Sequence, residues 1–198
     1  MPTLEDSPYM TINHEVEIFT NKELTRMMEM RRNIRSISVI GDVASGTSTL
    51  IDSLVVAAGV IHQEAGYFMD TRVDEIEQIM SIKSTSISRS YKMTNEALKA
   101  LTVEHNGNEY LINLIDSPGH IDLSLEAITA LHVTDEALLI VDSMEGVGLQ
   151  TQSLISQIFR ERVVPFLIIN KIDDCFFELQ VDGEKAYRSF QRVIQNMN

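Results

Sequence analysis

The stretch from Ile34 to Gly59 constrains the fold more than any other part of the chain. IRSISVI, Ile34 to Ile40, alternates and then turns β-branched, as a strand entering a core does. GDVASGTSTL follows directly from Gly41, after which Leu50, Ile51, Leu54, Val55 and Ala58 recur on one helical face that ends near Gly59. Strand, glycine loop and helix form the unit in which backbone N–H groups and a helix amino terminus cradle phosphate. In that geometry Gly41 and Gly46 allow the tight turn, Asp42, Val43, Ala44 and Ser45 form its crest, and Thr47, Ser48 and Thr49 open the helix, with Ser48 placed to ligate Mg²⁺. Two glycines with four residues between them also describe an ordinary turn, so the loop by itself does not decide.

Further apolar runs follow at Tyr110 to Ile115 (YLINLI), Ala137 to Val141 (ALLIV) and Val163 to Ile169 (VVPFLII). They alternate with helical patterns such as LQTQSLISQIFRER and EKAYRSFQRVIQ, which predicts an α/β fold: a mainly parallel sheet with helices on both faces. Ligands in that architecture sit beyond the carboxyl ends of the strands. DSPGH, Asp116 to His120, follows YLINLI, where an aspartate can hold magnesium, the Gly119 amide can touch a terminal phosphate and His120 can orient water. A turn leading into a helix is the plainer alternative. NKID, Asn170 to Asp173, follows VVPFLII; the Asp173 carboxylate can accept from the two adjacent donors of a guanine edge, and the Lys171 stem can lie along the base. Each motif is short, but the three occur in order and each follows a buried-looking strand, the arrangement of a GTPase.

Composition limits the partners. The net charge of −13 opposes unaided binding to nucleic acid, and no apolar run approaches the roughly 18 residues of a membrane span. The single cysteine, Cys175, excludes an internal disulfide framework and fits a reducing, cytoplasmic setting. Residues 1 to 17 are expected to form an irregular tail, with the partial nucleotide domain spanning 18 to 198. Leu24, Met27 and Met28 predict a short amphipathic helix within Phe19 to Arg32, its methionines packed in the core.

Longer stretches carry a closer similarity. NIR at Asn33, DTR at Asp70, IKST at Ile82, NEYLINLIDSPGHID at Asn108 and FELQVDGEKAY at Phe177 resemble the amino-terminal part of the eukaryotic elongation factor 2 family of translational GTPases. The resemblance implies GTP and GDP with Mg²⁺ as ligands, the ribosome as partner and the cytoplasm as location. It further implies that Asp70 to Ser84 is the first switch, that Ser81 stands for a magnesium-binding threonine, and that His120 is the catalytic histidine. Asn170, Lys171 and Asp173 match the family's guanine-reading set.

The phosphate loop departs from that family. Where it reads AHVDHGKST, this chain has Asp42 for a histidine, Ala44 for an aspartate, Ser45 for a histidine and Thr47 for the phosphate lysine; at the switch, Gln78 and Ser81 replace arginine and threonine. Two unit charges about 4 Å apart attract by roughly 4 kcal/mol at an effective dielectric near 20, whereas a neutral hydroxyl returns about 1 kcal/mol. The shortfall, about 3 kcal/mol, is roughly a hundredfold in affinity, before the negative charge of Asp42 is counted. The family also continues past the position of Asn198, so the sheet is expected to be incomplete at its carboxyl-terminal end, leaving Phe166 to Ile169 as an edge that only Pro165 protects. Weak guanine-nucleotide binding with little unassisted hydrolysis is the first expectation. A non-catalytic, protein-binding GTPase relic and a truncated duplicate without a maintained role are the others.

Overall fold

The computed structural model describes residues 10–11, 21–57, 84–100, 104–119, 124–177 and 180–197. Strand β1 is the pair Met10–Thr11, followed by helix α1 at Asn21–Glu29, a single 3-10 turn at Arg31–Asn33 and strand β2 at Ile34–Gly41. Helix α2 (Thr47–Ala57), strand β3 (Thr85–Met93), helix α3 (Asn95–Ala100) and strand β4 (Glu109–Asp116) come next. Helix α4 (Ser124–Leu131), strand β5 (Glu136–Asp142), helix α5 (Leu149–Arg160) and strand β6 (Val164–Asn170) complete the sheet, and helices α6 (Ile172–Phe177) and α7 (Gly183–Met197) follow.

Among the described residues the strands form one sheet in the order β1-β3-β4-β2-β5-β6. β4, β2, β5 and β6 are parallel neighbours, while β3 runs antiparallel to β4 and β1 antiparallel to β3. The mainly parallel sheet is thus present, with an antiparallel flank. That flank was not expected, because β3 reads TSISRSYKM, with Ile87 its single branched aliphatic residue. Met10 and Thr11 pair with Met93 and Lys92, so these two residues of the segment expected to be irregular add to the sheet.

The central strands are apolar on both faces because both are covered. Leu139 and Val141 of β5 pack with Ile40, Leu131, Leu154, Ile158 and Val193, under α4, α5 and α7. Ile140, one residue out of phase, faces the other way with Val39, Ile51, Val55 and Leu114, under α2. β6 lies at the edge, with Val164 and Phe166 exposed. The methionine stripe of α1 divides: Met27 is buried, but Met28 is 59% exposed, so the expected core packing holds for one residue and not for its neighbour.

Three registers set the functional end of the sheet. Val39 lies opposite Asp116, Gly41 opposite Ile140, and Asp142 opposite Asn170. Four strands running in parallel therefore deliver the glycine loop, DSPG, the Asp142 turn and NKID to the same edge.

Candidate functional site

The loop leaving β2 is tightly enclosed. A Cβ on Gly41 would stand 2.8 Å from the Ile140 carbonyl oxygen and would collide with the Ser45 side chain. Gly46 adopts φ +93, and a Cβ there would come within 2.5 Å of Asn170 Nδ2. Both glycines are thus required, one by close approach and the other also by its backbone conformation. Ala44 holds φ +62, a left-handed conformation that aspartate tolerates better than alanine. The Ser45 N–H donates to the Asp42 carbonyl at 3.1 Å, closing the turn, and the Leu50 N–H donates to the Gly46 carbonyl at 3.0 Å as α2 begins.

Asp42 Oδ1 accepts the Val43 N–H at 2.7 Å, so an anion of the protein itself already occupies one loop amide. The Ser45 hydroxyl is buried and has no partner among the described residues. Thr47 opens α2 with a hydroxyl where a lysine would place a cation.

DSPG packs against this loop. Ser48 Oγ donates to Asp116 Oδ2 at 2.7 Å, bringing the hydroxyl of one motif onto the carboxylate of the other. A hydroxyl and a carboxylate oxygen in contact form a hard-oxygen pair, and that donor chemistry fits Mg²⁺. The Ser117 N–H donates to the Val39 carbonyl at 3.1 Å, and its Oγ lies 3.2 Å from Ser38 Oγ in the core, so Ser117 anchors the segment. A Cβ on Gly119 would come 2.5 Å from the Gly41 carbonyl oxygen, which leaves room there for glycine alone. Gln150, in the first turn of α5, donates through Nε2 to the Gly119 carbonyl. His120 and Ser81, expected as catalytic and metal-binding residues, lie outside the described residues, as does the remainder of the first switch up to Lys83.

NKID meets the loop from the other side. Asn170 Nδ2 donates to the Ser45 carbonyl at 2.9 Å, across 125 residues of sequence. Lys171 has φ +55 and places Nζ 2.9 Å from Asp142 Oδ2, while Asp173 stands exposed in the first turn of α6. Asn170, Ser45, Gly46, Gly41, Gly119, Asp116 and Ser48 thus form one connected group.

A family model described as the elongation factor Tu GTP binding domain matches residues 32–198. The chain belongs to this family. Its α/β fold and its GTP-binding class are those of an elongation-factor GTP-binding domain. No helix among the described residues is long and apolar enough to cross a membrane.

Within this elongation-factor domain, sequence reasoning missed the turn after β5. Burial pushes the Asp142 carboxyl upward, but the hydrogen bond from Lys171, the amides of Met144 and Glu145 and the Lys171 charge outweigh it and hold it below the usual carboxylate range. Lys171 is raised above the usual lysine value, chiefly by its hydrogen bond to Asp142, with Asp174 and Glu145 adding negative potential. The signal was available: Asp142 follows ALLIV just as Asp116 follows YLINLI, an acid at the end of a buried strand. Gln150 carried no such mark, being one polar residue in an amphipathic helix.

Proposed function

We propose that this domain binds GDP and GTP weakly, with Mg²⁺, and hydrolyses GTP little without a partner. The observation that carries the reading is the convergence of the glycine loop, DSPG and NKID at one sheet edge, combined with threonine at position 47. Phosphate would meet the amides of the Gly41–Thr49 loop, including those of Asp42, Val43 and Ala44, while Ser48 and Asp116, joined by Ser81, would hold the metal. When bound, the metal would supply positive charge to offset that of the phosphates. Gly119 would approach the terminal phosphate and His120 would orient water, whereas Asn170 would fix the loop, Lys171 would cover the base and Asp173 would read the guanine edge.

The likeness to elongation factor 2 supports ribosomal action in the cytoplasm, with ribosomal proteins rather than bare RNA as the contact for so acidic a chain. Titration with fluorescent GDP and GTP in Mg²⁺ tests the nucleotide reading by comparing the native chain with Thr47→Lys. A gain of roughly a hundredfold is expected. Equal affinity in the two proteins would remove the missing cation as the cause of weak binding, and micromolar or tighter binding by the native chain would contradict weakness itself.

A second reading, a non-catalytic module that engages a protein partner, is favoured by the Asp42 carboxylate on the Val43 amide. Its signature is an absence of nucleotide binding by the native chain that Thr47→Lys combined with Asp42→Asn relieves. Guanine-nucleotide binding by the native chain would sink it.

A further inference from the structure

NKID does not stand alone on its loop; the turn after β5 grips it at three points. The Ser143 N–H donates to the Asn170 carbonyl at 2.9 Å, Ser143 Oγ donates to the Lys171 carbonyl at 2.7 Å, and Asp142 Oδ2 meets Lys171 Nζ at 2.9 Å. Ser143 spends its one hydroxyl proton on the Lys171 carbonyl and accepts the Cys175 thiol proton at 3.2 Å. Asp142 spends its other oxygen, Oδ1, on the Met144 N–H at 2.8 Å. The Asp142 carboxylate is thus locked at both oxygens, and its side chain is only 9% exposed against 34% for Lys171.

A lysine stem has four rotatable carbons and loses substantial entropy when held in one place. Where that stem must serve as a flat wall for a base, a fixed anchor for its ammonium supplies the order before the ligand arrives. We infer that Asp142 is a positioning residue for guanine binding: by holding Lys171 Nζ it lays the lysine stem along the face of the purine, between the Asn170 contact with Ser45 and the Asp173 carboxylate. Asp142 touches no part of the nucleotide; it acts through Lys171. This inference rests on the guanine-nucleotide reading above.

Binding of fluorescent GDP and inosine diphosphate is measured for the native chain, Asp142→Asn, Lys171→Met and the double variant. Asp142→Asn should weaken GDP about tenfold, and inosine diphosphate by the same factor, because the stem packs on the ring plane and not on the amino edge. In the Lys171→Met background the same change should have no further effect, since its target is gone. Equal GDP affinity for native and Asp142→Asn chains overturns the inference, as does an undiminished loss in the Lys171→Met background. A native chain that binds no guanine nucleotide overturns the parent reading and this inference together, and is distinguishable from both of those results.

Should Asp142→Asn fail to fold, the native chain decides by lysine acylation read by mass spectrometry. Lys171 should label more slowly than exposed Lys99 and more slowly still with GDP; labelling as fast as Lys99, with or without GDP, overturns the inference.

Discussion

The two ends of the candidate site, the loop after β2 and the NKID turn after β6, are built to different standards. At the NKID end the Asn170 amide, both carbonyls, the Lys171 ammonium and both Asp142 oxygens have partners. At the loop end the Ser45 hydroxyl is buried with no partner among the described residues, and Asp42 turns its charge onto the loop's own amide. The contrast separates two requirements of a polyanion site. The backbone meets the first, shape, at both ends, because Gly41 and Gly119 keep the loop and DSPG in contact and Gly46 lies against Asn170. A lysine meets the second, charge, in NKID, as Lys171, where the loop has Thr47.

The largest expected effect tests whether the residue at position 47 is the whole difference. Restoring the cation with Thr47→Lys should strengthen GDP binding by roughly a hundredfold, about 3 kcal/mol. If Asp42→Asn alone gives as much, repulsion by the added anion matters more than the missing lysine, and the two ends differ by a charge gained instead of a charge lost.

The link between the ends comes next. Asn170→Ala removes the 2.9 Å hydrogen bond to the Ser45 carbonyl and should cost about 2 kcal/mol, lowering the melting temperature by roughly 4–8 °C. Unchanged melting would mean that loop and NKID are held independently. The conformation of Ala44 is a smaller matter. Ala44→Gly relieves the φ +62 strain and should raise stability by about 0.5–1 kcal/mol, roughly 1–4 °C, while Ala44→Val should lower it. A glycine variant that melts below the native chain would show that the loop is not strained.

What could be read from the chain follows the same physics. β2, β4 and β5 were legible because strands covered on both faces must be apolar nearly throughout, and Val39, Ile40, Leu139 and Ile140 are fully buried; β6 was legible as an apolar run although Val164 and Phe166 are exposed at the edge. β3 was not, because on the antiparallel flank Ser86 and Ser88 face outward and only Ile87 joins the aliphatic packing. α6, six residues long, is too short to show a period. In the site, Asn170 and Asp116 stood in recognisable motifs; Asp142 carried the milder mark of an acid ending a buried strand, but its contact and that of Ser143 with NKID depend on the register between β5 and β6, which no local pattern announces. Met27 and Met28 show the same limit: periodicity places both near one face, and only packing decides which of them is covered.

The smallest effect concerns pH, and its sign is set by the Asp142–Lys171 pair. Asp142 titrates below the ordinary carboxylate value, so its contribution to stability is present above that value and is lost as pH falls through the lowered one. Lys171 titrates above the ordinary lysine value, so its contribution is present below that value and is lost as pH rises through the raised one. The pair is therefore intact from about pH 5 to about pH 9. Thermal melts of the native chain and Asp142→Asn should differ by a constant amount across that window and converge toward both extremes. A difference that changed between pH 6 and pH 8 would assign the titration to another group, and the well-partnered end of the site would lose the charge pair on which its contrast with the loop depends.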